Sequence, residues 1–253
     1  MRVTFLGTGT SQGVPVIACS CAVCRSADKK DKRLRASVLV ETRGKVLIID
    51  TGPDFRQQML RAQVEQLDAV LFTHEHKDHI AGLDDIRAFN FKQGKPVPIY
   101  CAPRVQEALK REFHYAFAEQ RYPGVPQMKI HAIGTKAFNI DTLEVTPVEV
   151  LHYKLPVLGF RIGDFTYITD AKTITETEME KVRGSKVLVL NALQKDKHIS
   201  HLTLDEAVEL AQKLEVEQCY LTHISHRMGL HAEIEKELPP GIHLAYDELK
   251  LEI

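Results

Sequence analysis

The chain has 253 residues, with 33 lysines and arginines against 34 aspartates and glutamates and a formal net charge of −1. That length holds one domain with a substantial core, and no linker divides it, so the reading is a single domain over 1–253. The charge balance leaves no global basic signature for a nucleic-acid binder, and no stretch approaches the roughly 20 apolar residues of a membrane span.

Short β-rich runs alternate with helical patterns along the whole chain. Arg2–Leu6 opens it and breaks at Gly7, too early for a signal-peptide apolar region. Cys19, Cys21 and Cys24 follow, three of five cysteines, an odd total that suits a metal site better than a disulfide framework. The expectation is a soluble, cytoplasmic protein with no membrane partner. Strands are expected next at Ala36–Glu41, Lys45–Ile49, Asp68–Phe72 and Val97–Tyr100, with helices at Asp54–Ala62, His79–Phe91 and Arg104–Phe117. A turn is expected over Arg121–Pro126. Strands then follow at Leu143–Val150, Leu158–Ile162, Phe165–Thr169, Lys186–Leu190 and Gln218–Leu221, with helices at Thr175–Val182 and Leu204–Leu214. The last helix is introduced by Thr203-Leu-Asp-Glu206, a capping-box pattern. Adjacent strands between Ala36 and Ile49 with no helix between them favour mixed sheets with helices outside, a layered α/β arrangement.

The densest chemistry lies after Asp68–Thr73, where His74-Glu75-His76-Lys77-Asp78-His79 packs three imidazoles and a carboxylate into six residues. These are ligands that borderline divalent metals prefer. The alternative is a polar loop that is merely rich in histidine. The run differs from the His-Glu-x-x-His helix of metalloproteases, because the fourth residue after His74 is Asp78. His74 and His76, two apart on extended backbone, point the same way and suit one metal, while Asp78 and His79 fall on the next turn, placed for a second. Glu75 and Lys77 occupy variable positions and are read as solvated. Other strands also end in ligand-type residues: Phe165–Thr169 runs into Asp170, Gln218–Thr222 into His223, and Leu143–Val150 almost at once into His152. In α/β sheets, residues distant in sequence converge where strands end. Taken singly, Asp170 reads equally as a turn cap and each histidine as a packed side chain.

The combination of His-x-His-x-Asp-His, a later histidine, a strand-end aspartate and a late histidine resembles the metallo-β-lactamase superfamily over nearly the whole chain. The resemblance implies a four-layer αββα sandwich of two mixed β-sheets with a dinuclear metal site at one edge. It implies that His74, His76 and His152 hold one metal, that Asp78, His79 and His223 hold the second, and that Asp170 bridges them. Asp50, ending Lys45–Ile49, matches an aspartate that orients a ligand imidazole. From the residues alone it reads equally as a turn residue before Gly52. Within the superfamily, the chain is most similar to the phosphoribosyl 1,2-cyclic phosphate phosphodiesterases and their relatives. Three segments carry this likeness: Phe5–Pro15, Cys19-x-Cys21-x-x-Cys24, and His198-Ile-Ser-His201-Leu-Thr-Leu-Asp-Glu206. Gly7-x-Gly9 alone also suggests a dinucleotide turn, but Gly13 comes one residue late and no helix follows.

The same resemblance implies a closed structural zinc on Cys19, Cys21, Cys24 and His226, with no open position for catalysis. Three free thiols are the alternative, and Cys219 replaces His226 only if the strand register allows it. Cys101 and Cys219 read as small core residues. In the catalytic site, two divalent ions (zinc or manganese) about 3.5–4 Å apart would activate a water and clamp phosphoryl oxygens. Asp78 belongs to that machinery, and His201, close to a helix N-terminus, is expected to act as general acid or electrophile, with His198 as competitor. His114, His131, His231 and His243 read as surface or core residues.

The activity expected is therefore metal-dependent phosphodiester hydrolysis on a small cyclic phosphate, with RNA the less favoured partner and a homodimer left open. A tRNA 3′-processing endonuclease, a thioester or lactam hydrolase, and a non-catalytic module organised by zinc are the alternatives. Asn191–Lys195 and the stretch from Arg104 to Pro126 lack a matching motif and are expected to border the substrate pocket.

Overall fold

The computed structural model describes residues 1–120 and 122–253. Its strands are β1 (Arg2–Gly7), β2 (Ser37–Thr42), β3 (Lys45–Ile49), β4 (Ala69–Leu71), β5 (Val97–Cys101), β6 (Met128–Ala132), β7 (Phe138–Ile140) and β8 (Leu143–His152). They continue as β9 (Leu155–Ile162), β10 (Phe165–Tyr167), β11 (Thr173–Ile174), β12 (Val187–Asn191), β13 (Gln218–Thr222), β14 (Ile242–Leu244) and β15 (Lys250–Glu252). Among the described residues these form two mixed sheets, ordered β15-β1-β2-β3-β4-β5-β6 and β11-β8-β9-β10-β12-β13-β14, with β7 paired to β8. In the first sheet the antiparallel run from β15 to β3 gives way to parallel pairing from β3 to β6. The second repeats the scheme, antiparallel from β11 to β10 and parallel from β10 to β14.

Period-two alternation explains the layering, because successive strand side chains face opposite ways. In β3, Leu47 and Ile49 join the core between the sheets, where Val3, Phe5, Phe160, Phe165 and Tyr167 also lie. Ile48 faces outward into a second core with Phe55, Met59, Ile80, Phe89, Val105 and Leu109. Those residues bring α2 (Phe55–Ala62), α3 (Lys77–Ile80), α4 (Arg87–Gln93) and α5 (Pro103–Glu112) onto the first sheet. A third core seats α7 (Glu176–Val182), α8 (Leu204–Lys213) and α9 (His231–Glu237) on the second through Met179, Val182, Leu204, Ala207, Ala211 and Ile234. The order is helix, sheet, sheet, helix, with both sheets covered on both faces, which is why the strands read as nearly continuous apolar runs. Two one-turn helices, α1 (Ala22–Arg25) and α6 (His114–Phe117), complete the set. No helix among the described residues is long and apolar enough to cross a membrane.

Two expected helices are broken. The pattern over His79–Phe91 resolves into α3, a 3₁₀ turn at Leu83–Ile86 and α4. The break has a steric cause at Gly82: a Cβ there would sit 2.2 Å from the Gly52 carbonyl oxygen, and one at Gly52 would sit 2.1 Å from that of Asp78. Two backbones therefore touch where only glycine fits. The close approach is fixed by Thr51 N–H donating to the His79 carbonyl at 2.8 Å and Gly82 N–H to that of Thr51 at 2.8 Å. Arg104–Phe117 likewise divides into α5 and α6 at Phe113, whose ψ of 37° leaves the helical region. The expected turn over Arg121–Pro126 begins at a residue outside those described, and its remainder turns at Tyr122–Val125, where Val125 N–H reaches the Tyr122 carbonyl at 3.4 Å.

Candidate metal centre

Three strands deliver site residues by the same backbone device. Asp50 follows β3, Asp170 follows the β10 strand, and His223 follows β13, and all three adopt left-handed backbone at φ of 65°, 57° and 57°. Aspartate and histidine enter this region more readily than most residues, yet a non-glycine there still costs on the order of 1 kcal/mol or more. The left-handed turn swings each side chain off its strand end toward a common point. The His74–His79 run arrives there from β4, with His76 at the position just before α3 and making no side-chain cap to it.

A hydrogen-bond chain orients the imidazoles. The Thr73 hydroxyl donates to Asp50 Oδ2 at 2.8 Å, so its oxygen accepts from His74 Nδ1 at 3.0 Å. His79 Nδ1 donates to the same Asp50 oxygen at 2.7 Å, and His152 Nδ1 donates to the Ser200 carbonyl at 2.8 Å. Each ring is thereby held with its proton on Nδ1 and its Nε2 lone pair free for a metal. His74 Nε2, His79 Nε2 and both nitrogens of His223 are buried without a hydrogen-bond partner. Orphaned buried nitrogens are costly unless something else satisfies them, and a divalent cation does so.

The free atoms converge. Ligand atoms of His74, His79 and Asp170 lie within 4.8 Å of one another, as do those of Asp78, His79 and His223, and those of His152, Asp170 and His201. His79 Nε2 is 3.2 Å from Asp78 Oδ2 and 3.3 Å from Asp170 Oδ2, while His223 Nε2 is 3.3 Å from Asp170 Oδ1. The His76 ring stands at the rim, centred 4.5 Å from His74 and 5.3 Å from His152. Asp170 belongs to two of these groups, one with His74 and His79 and one with His152 and His201. The donor set of imidazoles and carboxylates fits divalent metal.

Charge compensation follows the same geometry. Burial pushes the His74 imidazole well below its ordinary value, with nearby His79 acting in the same direction. Burial acts the same way on His79, but Asp78, Asp170 and Asp50 together outweigh it and hold that ring well above. Burial opposes ionisation of Asp170 and Asp78, yet the facing imidazoles keep both carboxylates well below the usual range. Three carboxylates around His79 thus gather positive charge at one point, which a metal supplies in exchange for protons.

His201 is buried beside this group. Its Nδ1 is 3.9 Å from Asp170 Oδ1, its ring stacks on His223 at 4.9 Å, and burial lowers its pKa to about 3. The expected capping box behind it is formed: Glu206 N–H donates to the Thr203 hydroxyl at 3.2 Å and Thr203 N–H to Glu206 Oε2 at 2.9 Å. His198 lies 5.1 Å from His201, half-buried. By distance alone His201 is as well placed to hold metal as His152, a proximity the sequence did not suggest.

The cysteine cluster forms a second group. Cys19, Cys21 and Cys24 Sγ lie 3.2, 3.5 and 3.6 Å from His226 Nδ1. A tetrahedral zinc with ordinary Zn–S and Zn–N bonds has an S···N edge of about 3.6 Å, so the four atoms fit one ion. The Cys24 N–H lowers the Cys21 thiol to about 6, and burial raises that of Cys24 to about 11. Cys219 lies buried in β13, paired to Leu188 and Ile242 in the ladder, and does not join the group. Cys101 is likewise buried.

Glu75 departs from expectation. Its side chain is only 18% exposed and pairs with Arg104 of α5, while exposed Lys77 pairs with Glu112 of the same helix. The variable positions of the motif therefore dock it onto a neighbouring helix, and part of the unmatched Arg104–Pro126 stretch serves that purpose. Asn191, first residue of the unmatched Asn191–Lys195 stretch, is buried: it accepts from Ala171 N–H at 2.7 Å and donates to the Ala171 carbonyl at 3.0 Å, bracing the turn after Asp170.

Residues 45–224 match the Beta-lactamase superfamily domain, and with the two-sheet fold and the convergent histidines and aspartates already described, the chain belongs to that superfamily. Within it, the chain is similar over 100% of its length to 97% of a crystal structure described as a new diphosphatase from the PhnP family, at 42% identity and a TM-score of 0.93. Over 99% of its length it is 40% identical to the octanoyltransferase of Porphyromonas gingivalis, covering 51% of that protein. It is also 27% identical, across 65% of its length, to 47% of the ribonuclease Z of Nostoc punctiforme. The chain thus spans about half the length of the curated relatives it matches.

Proposed function

We propose that the protein is a dinuclear-metal phosphodiesterase that opens a small cyclic phosphate or a related diester. The observation that carries the reading is the buried His201 imidazole beside Asp170 and His223, in a chain 42% identical to a PhnP-family diphosphatase. His74, His76 and His152 would hold one divalent ion and Asp78, His79 and His223 the other, with Asp170 between them. Zinc and manganese both suit this donor set, and a closed zinc suits Cys19, Cys21, Cys24 and His226. Metal held there supplies Lewis acidity toward the phosphoryl oxygens and lowers the pKa of a water.

The chain's own residues provide orientation and proton management. Asp50, Thr73 and the Ser200 carbonyl fix three imidazoles before substrate arrives, so no reorganisation is needed during reaction. His201, neutral because it is buried, offers an N–H to the departing oxygen from a rigid seat between β12 and α8. Phosphoryl transfer leaves little covalent work for the protein, so positioning and electrostatics suffice.

The ribonuclease Z match favours a second reading, cleavage of an RNA phosphodiester by the same centre. The Porphyromonas relative is about twice as long as this chain, so acyl transfer does not carry over from its name. Metal-loaded protein assayed on bis-p-nitrophenyl phosphate, cyclic ribose phosphates, precursor tRNA and an octanoyl thioester separates these readings. Turnover of the small diesters above the other two is expected. Thioester hydrolysis exceeding diester hydrolysis, or no diester turnover at full metal content, would overturn the proposal.

A further inference from the structure

Tyr167 is a buried polar group that the metal chemistry does not use. It ends β10, pairs with Phe160 across the ladder and is fully buried in the core between the sheets. Among the described residues its hydroxyl has no hydrogen-bond partner. A phenylalanine would fill the same space without that penalty, because an unpaired hydroxyl in an apolar core is destabilising. The oxygen is therefore placed for a partner that the apolar core itself does not provide.

The polar groups that act on it belong to the metal centre. Burial raises the phenol's pKa, Asp50 and Asp170 act in the same direction, and His79 and Thr169 oppose them. The group stays protonated and can donate. Alternation along the strand puts Thr169 on the same side as Tyr167, while Ile168 between them faces the outer core. Thr169 is buried, and its hydroxyl donates to Asp170 Oδ2 at 2.7 Å. With its one hydrogen spent there, the Thr169 oxygen can only accept. The carboxylate it holds lies 3.3 Å from His79 Nε2 through Oδ2 and 3.3 Å from His223 Nε2 through Oδ1. A threonine relay of the same kind stands after β4, where the Thr73 hydroxyl accepts from His74 Nδ1 and donates to Asp50.

We propose that Tyr167 is a positioning residue for the metal centre: in the loaded protein its hydroxyl donates to Thr169 Oγ1, and the Tyr167–Thr169–Asp170 relay sets the angle at which Asp170 meets the metal positions. The proposal rests on the dinuclear reading above and deepens it, because it concerns how the carboxylate between the two ions is held. It depends on no particular substrate. It also accounts for a phenol at a position where an apolar ring would be more stable.

The test removes zinc from the His/Asp centre with a chelator and titrates it back into wild type, Tyr167→Phe, Thr169→Val, Thr169→Ser and the Tyr167→Phe, Thr169→Val double variant. The cysteine group is common to all five, so differences in affinity belong to the His/Asp centre. Zinc affinity is expected to fall about 3- to 10-fold in Tyr167→Phe, the loss of one hydrogen bond. It should fall about 10- to 100-fold in Thr169→Val, stay near wild type in Thr169→Ser, and fall no further in the double variant than in Thr169→Val. Without metal at the centre, Tyr167→Phe should unfold at or above the wild-type Tm, because it removes an unpaired hydroxyl, and this separates positioning from packing. Unchanged affinity in Tyr167→Phe, losses that multiply in the double variant, or a Tyr167→Phe protein as destabilised without metal as with it would overturn the relay. Metal uptake without diester turnover fails the phosphodiesterase reading only and leaves these outcomes decisive. If wild type takes up no metal at the centre, the dinuclear reading fails and the relay with it.

Discussion

Asp50 Oδ2 lies 2.7 Å from His79 Nδ1 and takes the Thr73 hydroxyl at 2.8 Å, so one buried carboxylate orients His79 directly and His74 through Thr73. Removing it releases two ring orientations at once. Asp50→Ala is expected to lower metal affinity and kcat/KM by about 10- to 100-fold, the usual effect of losing a partner behind a metal ligand. Asp50→Asn is expected to behave similarly, because an amide N–H facing His79 Nδ1 favours the wrong tautomer. Metal content per chain and kcat/KM at saturating metal check this, and full occupancy with normal turnover would refute it.

For the cysteine cluster, the S···N distances of 3.2–3.6 Å lead to a separate expectation. Cys21→Ser combined with Cys24→Ser should remove one equivalent of zinc, leave the His/Asp centre loaded, and lower Tm. Limited proteolysis should then cut between Gly9 and Arg33, the loop whose middle, at Cys19, Cys21 and Cys24, the zinc would fasten to His226. Metal stoichiometry and stability identical to wild type would dismiss the site.

How far the site was legible in sequence follows from where its signals lie. His74–His79, Asp170 and His223 each directly follow an apolar strand, and both the alternation and the ligand type are local properties. What was not legible depends on contacts between distant segments. The Gly52–Gly82 backbone contact that breaks the helix after Ile80 joins residues with no shared pattern. Glu75 looked solvated because Arg104, its partner, lies a whole strand away. Strand β6 escaped notice because Lys129 and His131 interrupt it at a sheet edge, and α9 because Leu230 gives it no side-chain cap.

His201→Ala should separate chemistry from metal binding. The ring contributes to a cluster with His152 and Asp170 but is expected to serve the departing oxygen, so the variant should keep its metals and lose about 10²- to 10⁴-fold in kcat. The loss should shrink on substrates whose leaving group, such as p-nitrophenolate, departs without a proton. A uniform loss accompanied by lost metal would show instead that His201 is a ligand.

Far from the centre, His231 provides a stability switch with a definite sign. It is 3% exposed, its backbone N–H donates to Asp31 at 2.8 Å, and its ring Nδ1 accepts from the Arg33 guanidinium at 3.1 Å. Burial lowers its pKa to about 4, aided by Arg33 and Lys30 and opposed by Glu235 and Asp31. The unfolded chain protonates this histidine near pH 6.5, so between the two values the unfolded state binds more protons and folding weakens as pH falls. The contribution is complete above about pH 6.5 and declines toward pH 4, by up to about 3 kcal/mol. The metal centre adds its own pH dependence to wild type and variant alike, so the quantity to follow is the difference between their urea-unfolding curves. His231→Gln should flatten the decline between pH 6.5 and 4.5 relative to wild type, and parallel curves across that range would show that His231 is not the group responsible.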